Sequence, residues 1–369
     1  MKCKKLVLIL AGLLVLLIIS DRFFTKYTPT SKLRISENKL IDSNNNEVIL
    51  RGVANMNILH IRDWGARYYN GETIKWYKDN WDINVLRVGI QCGFYGDGSS
   101  PYNWIEPFTD EQIALLDRVI EDGERYGVYI LVDWHAFGDL TNPDLHDRTI
   151  RFWQWFANRY KESPAVLYEI FNEPYVISWS KWKVQATEVV NTIRAIDPDS
   201  VIFVAGLDFG YDLSEVKANP IERENIGYIT HPYPHKENAQ TQEQWDEYFG
   251  YLADSYPIIA SEFQFPTEEG LEDYEWGRNL HTYLYQKKIG FTGWSTYPDA
   301  SGTSLFWSDG ITPTQHGFLN RYHCLMKDEA YPFPDYPGCN RNGICDGTEN
   351  WISCPTDCST DYLTGFTYS

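Results

Sequence analysis

The sequence predicts an α/β fold: a (β/α)8 TIM barrel preceded by a small N-terminal β-hairpin and followed by a C-terminal disulfide-rich knob. Three observations carry this reading. Eight short, β-rich apolar runs recur at intervals of roughly 25–45 residues, the rhythm of parallel strands joined by helical crossovers. The stretches between them place apolar residues at helical spacing. Polar residues collect just past the ends of the runs, where a barrel of this kind presents its functional loops.

The elements follow in chain order. Residues 31–50 read as a hairpin: Leu33-Arg34-Ile35, a turn around Asp42-Ser43-Asn44-Asn45-Asn46, then Val48-Ile49-Leu50. Barrel strands are placed near Leu50–Ala54, Asn84–Ile90, Val128–Asp133, Val166–Asn172, Val201–Ala205, Gly227–Thr230, Pro257–Ser261 and Gly290–Trp294. The fourth is bounded by Pro164 and Pro174, residues that a central strand does not carry inside its hydrogen-bond ladder. Among the intervening helices, Ile113, Leu116, Val119 and Ile120 share one face, as do Ile150, Trp153, Phe156 and Ala157. Thr109-Asp110-Glu111 and Asp147-Arg148 read as helix starts.

The barrel domain is assigned to residues 29–330, and what flanks it differs in composition. Lys2, Lys4 and Lys5 precede an apolar run from Leu6 to Ile19, so residues 1–28 read as a signal peptide or an uncleaved signal anchor. The run is short against the ~20 apolar residues of a full span. In either form the basic end stays inside, the rest is exported, and contact with the membrane is limited to this segment. The expected location is extracellular or at the cell surface.

Residues 331–337 form a Pro-rich, semi-rigid linker, and residues 360–369 a polar tail. Between them, residues 338–359 hold Cys339, Cys345, Cys354 and Cys358. So short a module has no core of its own and needs cross-links, with three pairings open. Asp346, Glu349 and Asp357 are weak candidates for a structural Ca²⁺, since they offer hard oxygen ligands; solvated acids on a disulfide knob are the favoured alternative. Seven Cys suit an oxidising compartment. Cys92 and Cys324 either pair or lie buried as thiols.

Composition narrows the partners. A net charge of −19 argues against nucleic acid, which wants a basic surface, and is compatible with a neutral polymer. Fourteen Trp and 26 Tyr suit either an aromatic core or a groove whose ring faces stack on sugars. There is no Gly-rich phosphate loop after a first strand, which argues against nucleotide chemistry. A monomer is expected.

Two of the runs end in a carboxylate: Phe171-Asn172-Glu173-Pro174 and Ala260-Ser261-Glu262-Phe263. Two carboxyls on two strand ends are what cleavage of a glycosidic bond requires, one to donate a proton and one to attack or stabilise the sugar. Other strand ends add Leu50-Arg51-Gly52-Val53, Val85-Leu86-Arg87, Asp133-Trp134-His135, His231-Pro232-Tyr233 and Gly293-Trp294-Ser295.

Taken in order, these motifs resemble glycoside hydrolase family 5, the cellulase-type retaining enzymes, over roughly residues 31–328. The one small departure is Ala54-Asn55 where the family opens L-R-G-V-N. The resemblance implies Glu173 as acid/base and Glu262 as nucleophile. It implies Arg87 and Tyr233 as partners of Glu262, Asn172 on the sugar 2-hydroxyl, His135 and His231 as hydrogen-bonding groups around the cleaved sugar, and Trp294 as the platform beneath it. The acid needs a raised pKa and the nucleophile must stay ionised. Asp133 and Glu169 read as structural, and Arg87 as a possible mere counter-ion to Glu169.

The implied activity is endo-β-1,4-glucanase on a β-glucan or related polysaccharide, with no metal and no cofactor for the hydrolysis. β-Mannanase, β-1,3-glucanase and a non-catalytic carbohydrate-binding barrel are the alternatives; a structural surface protein is a weaker one.

Overall fold

The computed structural model describes residues 27–56, 69, 72–91, 108–265, 271–297, 304–306 and 313–326. Residues 1–26, Cys92, the linker, the four-Cys module with Asp346, Glu349 and Asp357, and the tail lie outside them.

Eight parallel strands close a barrel in chain order: β3 (Arg51–Met56), β4 (Val85–Gln91), β5 (Tyr129–His135), β7 (Val166–Glu169), β9 (Ile202–Ala205), β10 (Ile226–Thr230), β11 (Ile258–Ala260) and β12 (Gly290–Trp294), which pairs back onto β3. All eight predicted strands are present, the fourth ending earlier than predicted. Their buried residues fall into two cores, as a barrel's alternating side chains require. Leu131, Leu167, Phe203, Ile229 and Ile259 pack in one core. Val88, Val132, Tyr168 and Val204 pack with the helices in the other. Leu33 and Leu40 of the N-terminal hairpin join the first core, so the hairpin packs with the barrel interior.

That hairpin differs from expectation. Its strands are β1 (Arg34–Ser36) and β2 (Lys39–Ile41), joined through Glu37 and Asn38, and Glu37 takes a left-handed φ of 57°. The Asn-rich segment is a second turn, closed by Asp42 Oδ1 accepting from the amides of Asn44 and Asn46. Val48-Ile49-Leu50 leads into β3 and does not form the hairpin's second strand.

The helices between strands are α1 (Thr73–Trp81), α2 (Asp110–Tyr126), α3 (Pro143–Tyr160), α4 (Trp179–Arg194), α5 (Gln242–Tyr248), α6 (Leu271–Lys287) and α7 (Gln315–Met326). Thr109 starts α2 with a full capping box closed by Gln112. The predicted start of α3 at Asp147-Arg148 is corrected to Asn142-Pro143. Asn142 accepts from the amides of Asp144 and Leu145, and Pro143 occupies a first-turn position that needs no amide.

Many tryptophans belong to the outer core. Trp81, Trp153, Trp179, Trp182 and Trp245 are fully buried. Buried indole N–H groups find partners: Trp153 donates to the Ile170 carbonyl, Trp182 to that of Ala205, and Trp134 to Thr149 Oγ1. Trp134 and Trp179 are therefore core residues. Cys324 is buried too.

One local device positions the site. The fourth predicted strand does not run unbroken from Val166 to Asn172. β7 ends at Glu169, and the chain pairs again as β8 (Glu173–Pro174) against β6 (Phe137–Gly138). The bridge amides of Asn172 and Glu173 donate to the carbonyls of Trp134 and Ala136. This short ribbon continues β5 and β7 past the barrel rim and fixes the backbone of Glu173.

Candidate active site

The strand ends bring the predicted residues into one buried polar cluster. Arg87 sits at its centre, fully buried on β4. Its Nη1 donates to Glu262 Oε2 at 2.9 Å, its Nε to Glu169 Oε2 at 2.9 Å, and its Nη2 to Glu169 Oε1 and to Asn172 Oδ1, both at 2.7 Å. Asp133 Oδ2 lies 2.9 Å from the same Nη2. Arg87 is thus more than a counter-ion to Glu169: one guanidinium meets three carboxylates and an amide.

Glu262 follows β11 and is 6% exposed. The Tyr233 hydroxyl donates to its Oε1 at 2.6 Å. Burial pushes this carboxyl up, but the charges of His231, Arg87 and His135 and the Tyr233 hydrogen bond outweigh it and hold the pKa below the ordinary value. Glu262 is therefore ionised at neutral pH. Tyr233 is pushed well above its ordinary range, by burial first and by the adjacent Glu262 next, so it stays a donor.

Glu173, 8% exposed on β8, meets His231: Nδ1 lies 3.0 Å from Glu173 Oε1. The other ring nitrogen, Nε2, lies 3.1 Å from Ser261 Oγ, so both nitrogens of His231 are taken up by protein groups. Burial disfavours the imidazolium, yet the neighbouring Glu169 and Glu173 carboxylates outweigh it and raise its pKa to about 9. His231 is seated by Gly210, whose φ of +80° and missing Cβ leave room for the ring; a Cβ there would lie 2.7 Å from Nδ1.

An oxygen of Glu173, a nitrogen of His231 and an oxygen of Glu262 all lie within 4.8 Å of one another. On distance alone these three could hold a metal. Each is already engaged, however. Both Glu262 oxygens accept from Arg87 and Tyr233, and a protonated His231 has no lone pair to give. The donor set suits two apposed carboxyls better than a cation.

His135 and Trp294 form the aromatic side of the cluster. Their rings stack at 5.5 Å with an interplanar angle of 2°, and the Arg87 guanidinium lies 5.7 Å from the Trp294 ring. His135 Nδ1 is bound to Asp133 at 2.6 Å. Burial lowers the pKa of His135, but the Asp133 charge and hydrogen bond more than reverse this. Asn172 has its oxygen held by Arg87, while its Nδ2 is buried with no partner among the described residues. That leaves one amide donor for a ligand hydroxyl.

Sequence reasoning did not single out Ser261, or the stacked pair Tyr175 and Phe209 (centroids 4.6 Å, 12°) just beyond Glu173. Phe209 is 43% exposed there. The only trace of the pair in the sequence is its closeness to strand ends. Tyr297 is half-buried, and Trp64, Trp104 and Trp307 lie outside the described residues.

The family model described as Cellulase (glycosyl hydrolase family 5) matches residues 41–300. Endoglucanase E-5 of Thermobifida fusca is 29% identical over 287 residues, 74% of this chain and 58% of that one. Endoglucanase N of Pectobacterium atrosepticum is 32% identical over 208 residues, 55% of this chain and 43% of that one. The chain thus spans about half the length of these relatives. Among solved structures, beta-glucanase SdGluc5_26A from Saccharophagus degradans superposes with a TM-score of 0.70 at 26% identity, over 81% of this chain and 94% of that one, and is also known in complex with cellotetraose. The catalytic domain of Thermobifida fusca endoglucanase Cel5A gives 0.64 at 26% identity, over 79% and 97%.

Proposed function

This chain belongs to the cellulase family, glycosyl hydrolase family 5, and from that premise we propose that it is an endo-β-1,4-glucanase acting by double displacement, with Glu262 as nucleophile and Glu173 as acid/base. The observation that carries the proposal is the pair of buried carboxyls on two strand ends, with oxygens within 4.8 Å. Retaining glycosidases hold theirs about 5–5.5 Å apart, whereas inverting ones need about 6.5–9.5 Å to lodge a water between.

In the first step Glu262 attacks the anomeric carbon. The bond to the leaving oxygen breaks, and that oxygen takes the proton of Glu173. In the second step Glu173 removes a proton from water as it attacks the same carbon, and the bond to Glu262 breaks. Arg87 and Tyr233 bind the carboxylate that attacks and later leaves. The Asn172 amide is the donor for the sugar 2-hydroxyl, a bond that tightens as positive charge develops on the ring. Trp294, backed by His135, is the surface on which an apolar sugar face stacks. The two carboxyls supply the whole reaction, so no metal or cofactor enters it.

Residues 1–28 are proposed to export the barrel to the cell surface or beyond, with or without cleavage, and the four-Cys module to follow as a disulfide knob.

The test is reducing-sugar release from soluble β-1,4-glucan, β-mannan, xylan and β-1,3-glucan, with Glu262→Ala as control. Activity on β-1,4-glucan that disappears in the variant is the expected result. Preference for β-mannan or β-1,3-glucan would move the substrate, and binding without turnover would leave a carbohydrate-binding barrel.

A further inference from the structure

Trp294, the stacking surface of the proposed reaction, has a buried neighbour that takes no part in the chemistry. His316 lies in the first turn of α7 and is fully buried. Its Nε2 lies 3.1 Å from the Trp294 carbonyl oxygen, and its Nδ1 has no hydrogen-bond partner among the described residues. A carbonyl only accepts, so Nε2 carries the hydrogen and Nδ1 is left with a bare lone pair.

The chain seats this ring from several sides. Thr314 caps the turn: its Oγ1 accepts from the Gly317 amide at 3.1 Å, and its own amide donates to the Leu305 carbonyl at 3.1 Å. A Cβ on Gly317 would lie 1.9 Å from that carbonyl oxygen, so only a glycine lets α7 start this close. One turn on, Asn320 donates to the Gly52 carbonyl of β3 at 3.0 Å. The imidazole itself stands edge to face against Phe263 (centroids 5.2 Å, 75°) and Phe265 (4.9 Å, 70°). Phe263 directly follows Glu262, and its carbonyl accepts from the Trp294 amide at 3.0 Å. His316 therefore touches both the segment that carries the attacking carboxylate and the residue that carries the platform.

Everything around the ring opposes a second proton. The start of a helix is its positive end, and a charge at Nδ1 would be buried with no acceptor. Burial outweighs the pull of the Trp294 and Phe263 carbonyls and leaves the pKa at about 3. His281 on α6 packs on the same Phe263 ring, and a charge on His316 would disfavour one there.

We propose that His316 is a positioning residue: a neutral ring whose Nε2–H pins the Trp294 carbonyl to the segment after Glu262 and so fixes the stacking platform relative to the nucleophile. This rests on the roles given to Trp294 and Glu262 above. The platform sets how far the anomeric carbon lies from the Glu262 oxygen, and a misplacement of about 1 Å costs on the order of a hundredfold in rate.

His316→Phe keeps an aromatic ring against Phe263 and Phe265 but has no donor. His316→Gln puts an amide N–H close to where Nε2 stands. On a cello-oligosaccharide, His316→Phe should lower kcat roughly tenfold with KM little changed, and His316→Gln should recover most of the loss. Two spectra read the same device without turnover. In full-length protein labelled with 5-fluorotryptophan, the ¹⁹F signal of Trp294, assigned by its loss in Trp294→Phe, should be shifted or split by His316→Phe and restored by His316→Gln. In ¹⁵N NMR of histidine-labelled wild-type protein, His316, assigned by its loss in His316→Gln, should stay neutral and Nε2–H from pH 8 down to pH 5. A wild-type ring with its hydrogen at Nδ1, a Trp294 signal or a kcat unmoved by His316→Phe, or a loss that His316→Gln does not recover would overturn the proposal. An enzyme silent on every polysaccharide would count against the function and leave the pin to be judged on its spectra.

Discussion

Arg87 is where single-residue chemistry matters most. Its guanidinium uses three separate nitrogens to bind Glu169, Glu262 and Asn172, a fork that a lysine ammonium cannot reproduce from one atom. Burial works against its charge, but Asp133, Glu169 and Glu262 hold its pKa well above the ordinary value. Asp133 responds in the opposite sense to Glu169: burial raises it, and Arg87 only partly offsets that. One cation thus leaves two neighbouring carboxyls with different proton affinities. Gly210 illustrates the same sensitivity in the backbone. Its left-handed φ and the 2.7 Å from a notional Cβ to His231 Nδ1 leave no room for a side chain. Gly210→Ala should cost about 1 kcal/mol of stability from the φ alone. It should also lower kcat roughly tenfold or more by displacing the imidazole, about 1.4 kcal/mol of transition-state stabilisation. Steady-state kinetics and a denaturation curve read the two effects separately, and an alanine variant with wild-type kcat would mean that the His231 seat does not matter.

Among the elements, the barrel strands were the most legible part of the sequence. Parallel strands buried on both faces write themselves as unbroken apolar runs, as Val128 to Val132 does. The strand-end motifs followed, because Glu173, Glu262, Arg87, Asn172, His231 and Tyr233 each sit within a few residues of such a run. Strand ends were less legible. Nothing in Glu169-Ile170-Phe171-Asn172 marks the break between β7 and β8, since it arises from pairing with Phe137 and Gly138 on another segment. The hairpin misled for a related reason: an Asn-rich turn is a strong local signal, while the actual turn places a glutamate in a left-handed conformation that glutamate does not favour. Asn142-Pro143, the actual start of α3, carries a capping side chain and a first-turn proline, while Asp147 lies inside the helix. The Glu169–Ser261 contact joins residues 92 apart in the chain, and no local pattern encodes it.

Across the whole molecule, the buried histidines set how stability depends on pH. His281 and His323 meet at 3.0 Å between α6 and α7, through their two Nδ1 atoms. That bond needs one N–H and one lone pair, so a second proton would break it. Burial holds both pKa values well below 6.5, and holds His316 down at about 3. In the unfolded chain all three would protonate near pH 6.5. The unfolded state therefore binds more protons below that value. The stability these residues contribute is complete above pH 6.5 and falls as pH drops, by up to about 1.4 kcal/mol per pH unit for each. His231 and His135, with raised pKa values, act in the other direction: their contribution is complete below pH 6.5 and is lost as pH climbs, for His231 through about 9. Thermal unfolding followed by circular dichroism should show the melting temperature falling between pH 7 and pH 5, with a second decline toward pH 9. A flat profile down to pH 5 would mean that these rings are not buried neutral.

The central claim is that the two apposed carboxyls cleave by double displacement, and the stereochemistry of the product tests it most directly. Proton NMR of the anomeric signals during rapid hydrolysis of a cello-oligosaccharide should show the β-anomer first, with the α-anomer growing only as the sugar equilibrates in solution. An α-anomer that appears first would mean a single inverting displacement by water, and would contradict the roles given to Glu173 and Glu262.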